Sequence, residues 1–404
     1  MPELKEVIIS ITNRCNYKCR MCDIPFQKSK ELTTSQWQKV IRDAYLIGAE
    51  TIVFSGGEPL LREDIFELIS YVKNNSMNCC LTSNGYLIDE ECASRLHNSG
   101  IDVVNISIEG PPQIHDYLRG RGTFDKAVFA LENLRKYKIE STIATMVSRY
   151  NYKYLDYIVE LAKEYKATTI KFQPFNRIFL SSNCSEGNFF ISKREIKRMK
   201  DMTKKVTWLC NNYGITTNPR RYLEMMPLYL SRNHFDSSFI CNTLWISCPI
   251  NSQGEIYPCW VLTQKDKLIG NINQDSFLNI WNSQKHRSVV EKIKKDGCPG
   301  CMMSCYDENF GRDGLETRIV TNVKRLQKEG AFEYVRRILK RWGRRFKFYN
   351  SYRGSPRQAF NRLRGLFKKK KLHKTEIDKE EIDKALKEIA LIKKIFEEEI
   401  RCLS

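Results

Sequence analysis

Cysteines carry the first chemistry in this chain of 404 residues. Cys15-x3-Cys19-x2-Cys22 follows directly after the apolar run Val7-Ile8-Ile9-Ser10-Ile11. Three thiolates this close on a loop can hold three irons of a [4Fe–4S] cube and leave the fourth iron open to a small molecule. A zinc knuckle, or thiols without a ligand, would use the same residues. A second group comprises Cys241, Cys248, Cys259, Cys298, Cys301 and Cys305. Two pairs from distant parts of the chain can make a four-thiolate site, and by count alone zinc suits it as well as iron–sulfur. Gly254, in Ser252-Gln253-Gly254-Glu255, marks a hairpin turn that would bring Cys241 towards Cys259. The other six of the 15 cysteines, Cys79, Cys80, Cys92, Cys184, Cys210 and Cys402, are scattered and read as buried small apolar residues. The start of the chain has no basic stretch followed by an apolar run, so a secretory signal is not expected. Clustered thiols without a signal point to metal ligands and not to a disulfide framework.

The elements that must position these thiols alternate regularly. Strands are expected at Val7–Ile11, Thr51–Phe54, Cys79–Thr82, Asp102–Ile108, Ser141–Val147 and Thr169–Gln173. Thr33-Thr34-Ser35-Gln36 is a capping box, and Trp37, Val40, Ile41, Ala44 and Ile47 follow at helical spacing. Ile65, Leu68, Ile69 and Val72 mark the next helix, with others at 89–98, 124–137 and 152–165. Six β-α units with buried strands predict an α/β fold, a partial (βα)6 TIM-like barrel, with its chemistry at the C-terminal ends of the strands. The second strand ends in Ser55-Gly56-Gly57-Glu58-Pro59, where two residues without Cβ let a ligand lie against the backbone. The third ends in Thr82-Ser83-Asn84-Gly85 and the fourth in Ser107-Ile108-Glu109-Gly110. Each is a common strand-end turn when taken alone. Together with the cysteine loop they form one rim carrying small polar groups. His97 lies on a helical stripe and reads as packing, whereas His115 follows the fourth strand and is a candidate near substrate.

With these motifs in place, residues 1–180 resemble the core of the radical S-adenosylmethionine (SAM) superfamily. The triplet matches its signature, with Tyr17 as the usual aromatic within it. The resemblance implies a [4Fe–4S] cluster on Cys15, Cys19 and Cys22 whose open iron chelates SAM. It implies a SAM site lined by Gly56, Gly57, Glu58, Ser83, Ser107 and Glu109, although an aspartate is commoner than Glu109 at that position. It further implies reductive cleavage of SAM to a 5′-deoxyadenosyl radical, hydrogen abstraction from substrate, and a reductant such as flavodoxin or ferredoxin. The second cysteine group and Gly270-Asn271-Ile272 resemble the SPASM/twitch extension of these enzymes, which carries auxiliary iron–sulfur clusters. On that likeness residues 236–312 form a small cluster domain of single-cluster type, ligated by Cys241, Cys259, Cys298 and Cys301, with Cys248 and Cys305 extra.

The substrate class has two readings. Molybdenum-cofactor cyclase relatives end in Gly-Gly, but this chain ends Arg401-Cys402-Leu403-Ser404. Sulfatase-maturing relatives place an acid where Trp260 stands. Peptide-modifying relatives often carry a leader-binding domain before the core, for which the position of Cys15 leaves no room. Oxidation or epimerisation of a small polar metabolite or glycan is therefore expected ahead of peptide modification. A non-catalytic cluster protein that binds RNA is the reading from another class.

Residues 181–235 read as a helical connector. Lys+Arg number 67 and Asp+Glu 47, a net charge of +20, and residues 331–375 alone hold 16 basic residues and one acid, Glu333. Within this basic helical segment, 313–375, Phe332, Val335, Leu339, Trp342 and Phe346 form an aromatic-rich stripe. Such a helix reads first as a solvated face packed on the enzyme, then as a binder of an anionic membrane surface, with nucleic acid after both. A charged helix at 376–404 ends the chain, with Ile382, Leu386 and Ile389 on its stripe. No run approaches the ~18 apolar residues of a membrane span. The expectation is a cytoplasmic protein, either soluble or peripheral to the inner face of the membrane.

Overall fold

The computed structural model describes residues 4–27, 30–176, 189–232, 243–263, 265–298 and 300–303. The basic segment, the C-terminal helix, Cys184, Cys241, Cys305 and Cys402 lie outside the described residues.

Six parallel strands form the frame: β1 (Glu6–Thr12), β2 (Thr51–Gly56), β3 (Asn78–Ser83), β4 (Val103–Ser107), β5 (Glu140–Val147) and β6 (Thr169–Pro174). They are joined by α1 (Thr34–Ile47), α2 (Ile65–Asn74), α3 (Glu90–Asn98), then α4 (Pro112–Arg119) with α5 (Thr123–Lys136), and α6 (Leu155–Glu164). The sequence explains why. The strands are short runs that bury the face covered by the helices; β1, β4 and β5 are buried on both faces over most of their length, whereas β2, β3 and β6 alternate buried with less buried residues. Each helix buries one stripe: α1 packs Trp37, Val40, Ile41 and Ala44 beneath the capping box of Thr33 and Gln36. Gly48 stops it at a φ of 121°. These stripes and strands share one continuous core.

The strand order is β6-β5-β4-β3-β2-β1-β7-β8-β9, where β7 is Ser247–Ile250, β8 Glu255–Ile256 and β9 Gly270–Asn271. The segment read as the cluster domain extends this sheet. Residues 247–250 pair parallel to β1, with Val7 opposite Cys248, and β8 and β9 continue antiparallel. The turn at Gly254, φ 81°, closes the expected hairpin. The hairpin lies against both ends of the cysteine loop: Ser252 Oγ donates to Asn13 Oδ1 at 3.0 Å, and Leu32 N–H donates to the Ser252 carbonyl at 3.0 Å.

The connector is helical, as expected. It comprises α7 (Ile196–Tyr213) and α8 (Arg220–Arg232) and packs on α6. Next come α9 (Thr243–Ile246), α10 (Phe277–Asn282) and α11 (Gln284–Asp296). Among the described residues no helix is long and apolar enough to cross a membrane.

Candidate active site

The cysteine loop leaves β1 through an irregularity between Ser10 and Thr12. Its two ends are tied to one buried guanidinium. Arg62 donates to the Ile11 carbonyl before the loop and to the Leu32 carbonyl after it, and pairs with Glu31 and Asp64. The middle of the loop docks on α4. Arg20 N–H donates to the Leu118 carbonyl at 2.9 Å, Arg20 Nε donates to the Tyr117 carbonyl at 2.8 Å, and the guanidinium covers the Tyr117 ring at 4.3 Å. The thiols are thus carried on a braced loop. Tyr17 N–H donates to Cys15 Sγ at 3.4 Å, the kind of bond that steadies a thiolate.

The glycine pair touches this loop directly. Gly57 N–H donates to the Thr12 carbonyl at 2.7 Å, and Glu58 N–H donates to the Arg14 carbonyl at 2.8 Å. A Cβ on Gly56 would lie 2.4 Å from the Thr12 oxygen, and one on Gly57 would lie 2.1 Å from the Arg14 oxygen. The sequence suggested that the missing Cβ atoms make space for a ligand. The structure gives them a prior task, close approach of the cysteine-loop backbone.

One cavity of ≈ 180 Å³ collects Cys15, Cys19 and Cys22, with Gly56, Gly57, Ser83 and Ser107 in its wall. Glu58 and Glu109 do not line it. Both are wholly buried behind the wall with their carboxylates already engaged. Glu58 accepts from Asn84 N–H at 2.8 Å, Ser83 Oγ at 3.0 Å and Leu60 N–H at 3.2 Å. Burial nevertheless pushes its carboxyl up to about 7. Glu109 accepts from Met146 N–H at 2.8 Å on one oxygen and from Arg119 on the other. In this structure both carboxylates are turned away from the cavity towards protein partners.

Arg119, at the end of α4, was not singled out in the sequence. It lines the cavity and pairs with Glu109 through Nε at 2.8 Å and Nη2 at 2.5 Å. Burial opposes its charge, yet Glu109 keeps the guanidinium above its ordinary value. His115 lies four residues earlier and behind the wall. Its Nδ1 accepts from Glu109 N–H at 3.2 Å, its ring meets Phe124 edge-on, and burial pushes it down to about 3, so it stays neutral.

The residues present fit a cube. Burial pushes the Cys15, Cys19 and Cys22 thiols up, Cys22 to about 11, so a bound cation would be needed to displace their protons. Among the described residues no three His, Cys, Asp or Glu side chains converge on a single ion-sized point. The triplet instead spreads round one cavity, as it must when each thiolate takes a different iron.

A second thiol-bearing core lies beyond β8. Cys259 and Cys301 are buried together with Leu244, Val261, Leu262, Val290 and Ile293, and Trp245 and Trp260 pack at the edge. Val261 N–H donates to Cys259 Sγ at 3.4 Å. Tyr222 Oη donates to the Met302 carbonyl at 2.6 Å and fixes the Cys301 segment to α8. Cys298 is half-buried beside it. Cys248 belongs elsewhere. It sits on β7, fully buried in the main core, with its Sγ near the Pro249 and Tyr257 carbonyls. This separates two kinds of cysteine by experiment. Replacing Cys259 and Cys301 together by alanine should remove about four irons per chain. Cys248→Ala should leave the iron count unchanged and cost about 1 kcal/mol of stability from the lost packing. Iron analysis and thermal melting read the two effects.

Comparison with known proteins agrees with this arrangement. Residues 9–162 match the model of the radical SAM superfamily, and residues 241–306 match SPASM, an iron–sulfur cluster-binding domain. The AdoMet-dependent heme synthase of Oleidesulfovibrio alaskensis is 31% identical over 301 residues, covering 70% of this chain and 76% of that protein. The mycofactocin maturase MftC of Mycolicibacterium smegmatis is 26% identical over 311 residues, covering 75% and 76%. Among solved structures, Streptococcus suis SuiB bound to S-adenosylmethionine superimposes with a TM-score of 0.59 at 16% identity, covering 72% of this chain and 68% of SuiB. That likeness extends to the fold. The chain belongs to the radical SAM superfamily and carries a C-terminal SPASM-type iron–sulfur domain.

Proposed function

We propose that the enzyme modifies a peptide, one side chain of which reaches into the cavity beside the cysteine triplet. The coarser statement holds without this step: it is a radical SAM/SPASM enzyme acting on a small molecule or a peptide. When bound, the cluster and SAM supply a 5′-deoxyadenosyl radical that takes a hydrogen atom from substrate. The chain's own residues hold and shield that chemistry. Cys15, Cys19 and Cys22 would ligate the first cluster, and Cys259, Cys298 and Cys301 the auxiliary one. Gly56 and Gly57 set the loop, Ser83 and Ser107 offer hydroxyls, and Arg119 brings a cation to the wall.

An exposed aromatic surface beside the cysteine loop supports the reading. Tyr86 and Tyr117 stand exposed there, and Arg20 covers Tyr117. A large substrate would lie across this aromatic mouth and insert one group. The likeness to mycofactocin maturase favours a peptide. The likeness to heme synthase supports a second reading, a carboxylated iron porphyrin inserting one side chain. The test uses anaerobically reconstituted, reduced enzyme with SAM, given either a short precursor peptide encoded beside the gene or an iron porphyrin. Peptide-dependent 5′-deoxyadenosine with a matching mass change in the peptide is expected. Turnover with the porphyrin alone would replace the proposal.

We further propose that residues 331–375 hold the enzyme at an anionic membrane surface. The support is the 16 basic residues and the stripe through Trp342. Vesicle co-sedimentation should show wild type pelleting with anionic lipid and Trp342→Ala pelleting less. Equal pelleting after deletion of 331–404 would reject it.

A further inference from the structure

Arg119 in the wall and Glu109 behind it form a charged pair to which the chemistry above gives no redox role. Their arrangement is asymmetric. Glu109 is fully buried, and the Arg119 side chain is 16% exposed and reaches the cavity shared with the three thiols. Cys19 lines the same wall, and the guanidinium charge there partly offsets the burial that pushes its thiol up. The pair is neutral overall, which lowers the cost of burying it. Its positive end faces the thiols and its negative end faces away.

The negative end cannot swing round. The second oxygen of Glu109 accepts from Met146 N–H on β5, its own N–H donates to His115 Nδ1, and its carbonyl accepts from Asn151 Nδ2 at 2.8 Å. Asn151 is held in turn by accepting from Ser148 N–H at 2.7 Å. The dipole is therefore fixed by α4 and by β5 with the turn that follows it.

We infer that Arg119 is a positioning residue for charge: the Glu109–Arg119 pair is a built-in dipole that raises the reduction potential of the cluster held by Cys15, Cys19 and Cys22. The reasoning is electrostatic. Reduction adds one negative charge to a site already carrying three thiolates. A cation fixed in the wall that carries Cys19, in a partly enclosed cavity, favours the reduced form, because net charge sets such potentials. The inference rests on the triplet holding a cluster, so iron content and the cluster's absorption are measured first.

The experiment is a redox titration of the whole enzyme without SAM, followed by EPR. The first cluster is identified as the signal that changes when SAM is added afterwards. The two charge variants should move in opposite directions. Arg119→Gln removes the positive end and should lower the potential, with an about tenfold fall in the reduced-to-oxidised ratio at the wild-type midpoint, or about 59 mV for one electron. Glu109→Gln leaves the guanidinium uncompensated and should raise the potential. Arg119→Lys keeps a charge without the fork and should fall between wild type and Arg119→Gln. The auxiliary signal should stay in place in all three.

A merely structural pair would not give opposite signs. Variants that keep their iron and the wild-type potential would overturn the inference, as would a shift of both in one direction. If Arg119→Gln sheds the first cluster, Glu109→Gln decides, and failure of its potential to rise refutes the proposal. Loss of the first cluster from both glutamine variants would assign the pair to loop support and also refute it.

Discussion

Replacing Cys15, Cys19 and Cys22 together by alanine should abolish SAM cleavage, remove about four of some eight irons per chain, and leave the fold intact. The separation of these effects follows from where the residues lie. None of the three is in the apolar core; all are partly exposed on the loop after β1. The loop is anchored by groups the substitution spares: Arg62 at its two ends, Arg20 on α4, and the Gly57 and Glu58 N–H groups on its carbonyls. Trimming three half-buried thiols should therefore change stability by no more than about 1–2 kcal/mol, against a total of about 5–15 kcal/mol. Activity should be lost outright, because no other described thiol, imidazole or carboxylate lines the cavity to replace a missing ligand. The assay is 5′-deoxyadenosine formation with reductant, together with iron analysis and circular dichroism. A triple variant that still cleaves SAM would remove the triplet from the chemistry. One that loses all its iron would show that the second thiol group does not hold metal independently.

The features legible in the sequence are those that depend on local pattern. Buried parallel strands are short apolar runs, helices carry stripes, and Thr33 with Gln36 announces its own helix start, so β1 to β6 and α1 could be placed from residue order. The triplet was legible because its spacing is itself the chemistry. Other features depend on partners far away in the chain. β7 is only Ser247-Cys248-Pro249-Ile250, a run whose proline argues against a central strand. It becomes one because β1, some 240 residues earlier, offers an open edge. Cys248 therefore looked like a member of the second thiol group and is in fact core. Arg119 gave no signal by type or spacing. What marks it is a fully buried carboxylate ten residues earlier, and burial of Glu109 cannot be read from Ser107-Ile108-Glu109-Gly110. The same limit applies to Glu58: the sequence places it on the rim, and only the partners Asn84 and Ser83 show that it faces inward.

The second large effect concerns Gly57, where sequence and structure give different outcomes for one substitution. If the glycine only cleared space for a ligand, Gly57→Val would keep the first cluster and lose SAM. The geometry predicts loss of the cluster itself. A Cβ at 2.1 Å from the Arg14 oxygen and 2.7 Å from its carbonyl carbon meets backbone, which has no rotamer with which to escape. Either the loop or the segment after β2 must move. Overpacking of this kind costs about 1–3 kcal/mol, and the two hydrogen bonds at Thr12 and Arg14 add about 0.5–1.5 kcal/mol each if they break. The total is tolerable for the domain but not for the loop, which can relieve it only by withdrawing Cys15, one residue beyond Arg14, from the cavity. Gly57→Val should therefore fold, retain the auxiliary irons, lose most of the first cluster, and fail to cleave SAM. Gly57→Ala should show the same defect in milder form, since its Cβ meets the same oxygen without the γ-methyl groups. Iron counting together with EPR distinguishes the two accounts. A Gly57→Val protein with a full first cluster and a defect confined to SAM binding would return the glycine to the role of ligand clearance. A protein depleted of that cluster alone would show that the Gly-Gly segment shapes the cysteine loop before it shapes any site for SAM.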